Sequence, residues 1–156
     1  INLAPPGTSD EHMSLVQYIQ CRPCDGAIVV TTPQEVALAD VRKELSFCKK
    51  TGVPILGVVE NMSYFLCDGC DKRHYLFGKG GGQKLAQELG LPLLAEVPMD
   101  PRIVETSDEG KAVLVKMPSS DAAKAYTSAD KIINDSLSLM QKDSDGALGY
   151  FLLEWK

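Results

Sequence analysis

The sequence predicts an α/β protein, a mostly parallel sheet with helices on both faces. Three observations carry this. Two continuous apolar runs, GAIVVTT from Gly26 and VPILGVV from Val53, have the length and β-branched content of strands buried on both sides. Segments with apolar residues at steps of three and four lie between and after them, as helices with one buried face require. Strands and helices alternate, and successive strands joined by helices pair in parallel.

Taken in order, Thr8-Ser9-Asp10-Glu11 is a capping box, followed by Met13, Val16 and Ile19 at helical spacing. The run from Gly26 to Thr32 is the first well-marked strand. Thr32-Pro33-Gln34-Glu35 is a second capping box with proline at the first helical position, and Leu38, Val41, Leu45 and Cys48 continue one apolar face. Gly52 stops that helix, and Val53 to Val59 form the next strand. The Gly-rich turn from Gly78 to Gly82 leads into a short helix with Leu85 and Leu89 that ends at Gly90. Leu93 to Val97 is a third strand. Asp100-Pro101 caps a short helix through about Asp108. Ser119 or Ser120 caps a longer helix through about Met140, with Ala122, Ala125, Ala129 and Ile132 on one side. Residues 1–140 read as one α/β unit, and residues 141–156 as a poorly patterned tail.

The totals narrow the function. A chain of 156 residues suits one domain with an adequate core. A net charge of −5 argues against nucleic acid as the main partner, because phosphate binding needs a basic face. No apolar run has the length of a membrane helix, so no membrane partner is expected. Five cysteines, an odd number, with no signal peptide ahead of them, point to a reducing compartment and a cytoplasmic location. The chain starts at Ile1 rather than Met, which suggests a piece of a longer protein and leaves an organellar form open.

In parallel α/β sheets, ligands bind beyond the C-terminal ends of the strands. Function is therefore expected at Thr31-Thr32-Pro33, Glu60-Asn61-Met62 and Pro98-Met99-Asp100. Ahead of these, Pro5-Pro6-Gly7 forms a stiff turn with one permissive position, suited either to a phosphate-sensing loop or to a plain connection. Cys67-Asp68-Gly69-Cys70 sets two thiols at a spacing that lets both face one metal centre. A tetrahedral site needs four ligands. His74 is a candidate third, and a two-fold axis would supply two more thiolates from a second copy. A redox pair and two unligated thiols remain alternatives. Cys21-Arg22-Pro23-Cys24 resembles a redox motif but leaves a helix and precedes a strand, the reverse of what that chemistry needs, and so reads as a connection. Cys48 reads as a core residue. The stretch Gly78-Lys79-Gly80-Gly81-Gly82-Gln83-Lys84 fails the phosphate-loop pattern. That pattern needs Gly before the second Lys and Ser or Thr after it, and here those places hold Gln83 and Leu85. Asn61 has an amide able to pair with the edge of a base, though Asn is also a common turn residue; Asp100 by itself reads as an N-cap.

Together, PPGTSDEH, DGAIVVTTPQEVALADVRKELSFCKK, GVPILGVVENMS, the Cys67/Cys70 pair, GGGQKLAQELGLPLL and EVPMDP resemble the Mrp/ApbC/Nbp-type deviant-Walker P-loop ATPases of iron–sulfur cluster assembly, over about residues 4–135. The resemblance implies a three-layer P-loop NTPase-like fold, present here as a partial domain. It implies an ATP hydrolase that uses ATP with Mg²⁺ and works as a homodimer or with a paralogous ATPase, passing clusters to apoproteins. It makes Pro5, Pro6 and Gly7 the switch II loop, Asn61 the base-contacting residue, and Pro98 and Asp100 the adenine side. It makes Cys67 and Cys70 the ligands of a labile [4Fe–4S] cluster shared between subunits. Two departures stand out. The Walker A loop belongs to a half of the family's chain that these residues do not contain, so this segment alone is expected to be inactive. An Asp two residues before the Pro-Pro-Gly is replaced by Leu3. Two other functions compete: a zinc- or thiol-bearing α/β binding module, and a partitioning-type switch ATPase. The latter has no need of the cysteine pair, and no basic amphipathic segment supports it.

Overall fold

The computed structural model describes residues 2–4, 14, 25–67, 69, 70, 72–140 and 150–154, with the backbone alone for 2–4, 139, 140 and 150–154. The Thr8–Glu11 capping box, the Pro5-Pro6-Gly7 turn, and Cys21 and Cys24 lie outside these residues. The elements in chain order are β1 (Asn2–Ala4), β2 (Gly26–Thr31), α1 (Glu35–Thr51), β3 (Ile55–Glu60), β4 (Phe65–Leu66), β5 (Arg73–His74), α2 (Gly81–Leu89), β6 (Leu93–Glu96), α3 (Pro101–Asp108), α4 (Val113–Lys116), α5 (Asp121–Met140) and β7 (Tyr150–Glu154).

Five strands form one sheet in the order β1-β7-β2-β3-β6, and each neighbouring pair is parallel. The α/β expectation is borne out. Alternate residues of β2 explain the layering: Ala27 and Val29 face one core, and Ile28 and Val30 the other. The first core is closed by Leu38, Val41, Leu45 and Cys48 of α1 and by Leu85 of α2. The second is closed by Ala129 and Leu137 of α5, with Ala125 and Ile132 partly buried against it. Both sides of β2 and β3 are thus dry, which is why their sequences are apolar without alternation. Cys48 is a core residue, 2% exposed.

Most boundaries fall where the sequence put them. Gly52 ends α1 in a left-handed conformation, its N–H donating to the Cys48 carbonyl. Asp100 caps α3 with Pro101 at its first turn, and Ser120 accepts from the Ala123 N–H at the start of α5. The second capping box is displaced: Gln34, not Thr32, is the N-cap of α1, and no side chain caps it. Pro33 stays outside the helix in a bend, where its carbonyl packs on Gly81 at the start of α2. The two-residue strands β4 and β5, the single turn α4, and β7 within the unpatterned tail are additions to the sequence reading.

Candidate functional site

The chain segments leaving β3 and β6 do not separate at the edge of the sheet. They run on side by side. Val97 donates to the Glu60 carbonyl (2.8 Å), Ser63 to Val97 (2.9 Å) and Met99 to Tyr64 (2.7 Å), and Phe65 then bridges Met99 in parallel. This extension leads directly into the β4–β5 hairpin, where Phe65 faces His74 and Leu66 faces Arg73.

A cavity of about 410 Å³ opens beside this extension, within the range of small-molecule sites. Leu66 and residues 98–102 form one wall, and residues 116–121 the other. Pro98 and Asp100, the sequence candidates for an adenine contact, both line it. Asp100 is engaged locally. It accepts from the Arg102 N–H (3.0 Å) and grips the Arg102 guanidinium through Nε (2.9 Å) and Nη2 (2.7 Å). The hydrogen bond from the Arg102 side chain holds its pKa below the ordinary aspartate value, against the opposing effect of burial. The opposite wall is tied down through Glu109, which pairs with Lys116 and Lys111; these bonds, Lys116 foremost, lower its pKa. Met99 fell within a stretch the sequence marked, whereas Leu66, Arg102 and residues 116–121 were not found from it. The break Met117-Pro118-Ser119-Ser120 between two helical patterns was the available signal.

Asn61 directly follows β3, its N–H donating to the Thr31 carbonyl (2.7 Å) and its Oδ1 accepting from the Met62 N–H (3.0 Å). It does not line the cavity. Met62 takes φ 53°, a left-handed value unusual for a residue with a Cβ, so the turn after β3 holds backbone strain. Glu60 is fully buried, and its carboxylate accepts from Ser63 Oγ (2.6 Å) and from the Gly82 N–H (2.5 Å) at the start of α2. The Gly-rich stretch therefore meets a carboxylate of its own chain, in keeping with its failed phosphate-loop pattern.

The hairpin carries the cysteines. Cys67 N–H donates to the Lys72 carbonyl (3.0 Å) and Cys70 N–H to the Cys67 carbonyl (3.3 Å), which folds the thiols toward each other. Neither is in a disulfide. The donor atoms of Cys67, Cys70 and His74 all lie within 4.8 Å of one another. The hairpin is braced by rings: the Arg73 guanidinium sits 4.3 Å above the Tyr64 ring, Tyr64 and Tyr75 centroids are 6.5 Å apart, and Lys79 lies 4.9 Å from the Tyr75 centroid. Burial raises the Tyr64 phenol pKa, with Arg73 opposing. Met62, Tyr75 and Leu76 are exposed apolar side chains close to the hairpin in sequence.

One prediction arises from the cavity wall. Asp100→Ala removes an N-cap and costs about 1 kcal/mol by thermal or denaturant unfolding. Because the folded state lowers the Asp100 pKa, its contribution is complete above about pH 3.9 and fades as the pH falls through the folded value. The wild-type advantage over the variant should shrink only in acid; an advantage that grows there contradicts this account.

The profile of the ParA family, described as NUBPL iron-transfer P-loop NTPase, matches residues 3–134. A nucleotide-binding protein from Archaeoglobus fulgidus, solved in complex with ADP and with Co found by PIXE, is 37% identical and aligns with TM-score 0.60 over 75% of this chain and 46% of its own. The Pyrococcus furiosus cell division ATPase MinD is 28% identical, with TM-score 0.63 over 85% of this chain and 50% of its own. The Pyrococcus horikoshii septum site-determining protein MinD with Mg-ADP is 25% identical, with TM-score 0.60 over 92% and 51%. The chain spans about half the length of these solved structures.

Proposed function

The chain belongs to the ParA/NUBPL iron-transfer P-loop NTPase family, and on that premise we propose that it is the cluster-bearing part of an ATP-dependent iron–sulfur scaffold and carrier, an ATP hydrolase as a whole. Its cargo is a labile [4Fe–4S] cluster held between two subunits by Cys67 and Cys70 of each, and passed to apoproteins. The observation that carries this reading is the converging cysteine pair on a hairpin whose first strand is also a cavity wall. Two thiolates per chain fall short of the four that such clusters take. A two-fold axis supplies the rest. The exposed Met62, Tyr75 and Leu76 offer apolar surface for a second copy, or for a paralogous ATPase, to cover. No helix among the described residues is long and apolar enough to cross a membrane; the site of action we assign is cytoplasmic.

We place the adenine of the nucleotide in the cavity between Pro98–Arg102 and residues 116–121. Pro98 and Met99 would give its faces apolar contact, while Asp100 keeps Arg102 in place. Asn61 stands outside this cavity, with its Oδ1 accepting from the Met62 N–H. Pro6 and Gly7 keep the switch role, and bound ATP would bring Mg²⁺ and the charge on which that switch acts. A base pressing on Leu66 or Met99 would shift the hairpin, because Phe65 and Met99 are bridged. That is a physical route by which the nucleotide could bias cluster loading or release.

Anaerobic reconstitution with iron and sulfide tests the proposal. The expected product is a dimer with a broad visible band and about four irons per pair. A chain that stays monomeric and colourless refutes it. A companion expectation concerns turnover: these 156 residues have no Walker A loop, and without a phosphate cradle the charge of phosphoryl transfer has little to stabilise it. Phosphate release from Mg-ATP should stay at the buffer rate, and sustained release would contradict the assignment. A MinD-like switch ATPase is the second reading, favoured by 28% identity to a cell division ATPase. It leaves the cysteine hairpin without a role.

A further inference from the structure

His74 takes no part in the shared cluster as proposed, yet it sits in the same knot of donors. We propose that a single chain holds one divalent ion of the zinc, cobalt(II) or iron(II) class through Cys67 Sγ, Cys70 Sγ and an imidazole nitrogen of His74, with the fourth position open. This deepens the cluster proposal, and rests on it only for what the ion-loaded form would become.

The geometry comes from the hairpin. His74 pairs with Phe65 across the β4–β5 ladder, and Cys67 follows β4 directly, so the register that fixes one fixes the other. The Cys67–Lys72 hydrogen bond closes the ladder, and the Cys70–Cys67 turn brings the second thiol back over the first. A tetrahedral ion with bonds of about 2.3 Å to sulfur and about 2.0 Å to nitrogen sets its donors roughly 3.5–3.8 Å apart. The three donors here lie within 4.8 Å of one another, so closure needs side-chain rotation of about an ångström. Cys70 and His74 are exposed and able to make it. Two soft thiolates and one imidazole select borderline ions over magnesium or calcium, which take oxygen. Three protein ligands with one open position are the pattern of a reactive rather than a closed structural site. The open position is where sulfide, or a thiolate of a second copy, would attach. The monomer is then the ion-loaded form, and the dimer the cluster-loaded one.

The test uses cobalt(II) alone, added anaerobically to the reduced 156-residue chain, with no iron or sulfide. The expected result is one tightly bound cobalt per chain, with the visible bands of a tetrahedral thiolate site, on a protein that stays monomeric, and displacement by zinc. His74→Asn and Cys70→Ala should each weaken binding at least about tenfold, since even supporting groups around a metal are worth that much, with unchanged far-ultraviolet circular dichroism. Cobalt bound at one per two chains on a dimer, binding indifferent to His74→Asn, or no tetrahedral bands each overturn the proposal. Failure of iron–sulfide reconstitution alongside a normal cobalt titration would sink only the shared cluster, and the reverse outcome only this site.

Discussion

Cys67→Ala and Cys70→Ala should each cut the iron retained after anaerobic reconstitution at least about tenfold, with loss of the visible band and of the dimer that the cluster bridges. The reasoning is a ligand count. Each chain brings two thiolates from one hairpin, and a cluster that uses four loses two when one position is changed, because symmetry repeats the change in the partner. The folded chain should otherwise survive. Cys67 is half-buried, Cys70 is exposed, and neither belongs to the two hydrophobic cores. Cys48→Ala provides the contrast: it touches the core and should cost stability without moving the band. Should the band survive in both hairpin variants, or depend on Cys21 and Cys24 instead, the ligands have been misassigned.

Gly81→Ala should be the most damaging small substitution in the fold. A Cβ at Gly81 would run into the carbonyl of Pro33, which is backbone and cannot rotate away, and would also press on Leu38 Cδ1. The close approach of α2 to the β2–α1 connection is therefore available only to glycine. Forcing them apart is an overpacking error, with a typical cost of about 1–3 kcal/mol. Because backbone lies on one side, we expect the upper part of that range and a fall in melting temperature of roughly 6–12 °C. A melting temperature within a degree of wild type would show that α2 can slide without penalty. Gly52→Ala is a useful comparison: a Cβ there meets nothing, and the cost is confined to the left-handed backbone.

The parts of the fold that announce themselves are those governed by local rules. The α1 face repeats every three to four residues, Gly52 and Gly90 stop helices because glycine takes positive φ cheaply, and Asp100 caps as its side chain dictates. What the sequence hid depends on partners far along the chain. Strands of two residues carry no period, so β4 and β5 gave no signal despite holding the cysteines in place. The extension of β3 against β6 is made of backbone bonds such as Met99 to Tyr64, which no side-chain pattern encodes. The α1 cap sits at Gln34 rather than Thr32, and Pro33 instead lies against Gly81, a long-range contact that the local motif does not encode. At the site, the residue types at Cys67, Cys70 and His74 pointed to a metal, but only the hairpin register brings the three together. The cavity wall from Lys116 to Asp121 needed the third dimension.

Glu60 closes a run of five apolar or small residues, Ile55 to Val59, and its contact with Gly82 has a consequence for selectivity. The start of a helix on an α/β fold is ordinarily open to any passing phosphate. Here that position already has a tenant, tethered by the chain itself and present at the millimolar or higher effective concentration that short linkage gives. Free phosphate or nucleotide would have to outcompete a carboxylate that never diffuses away. The glycine-rich segment is thereby insulated from the surrounding anion pool.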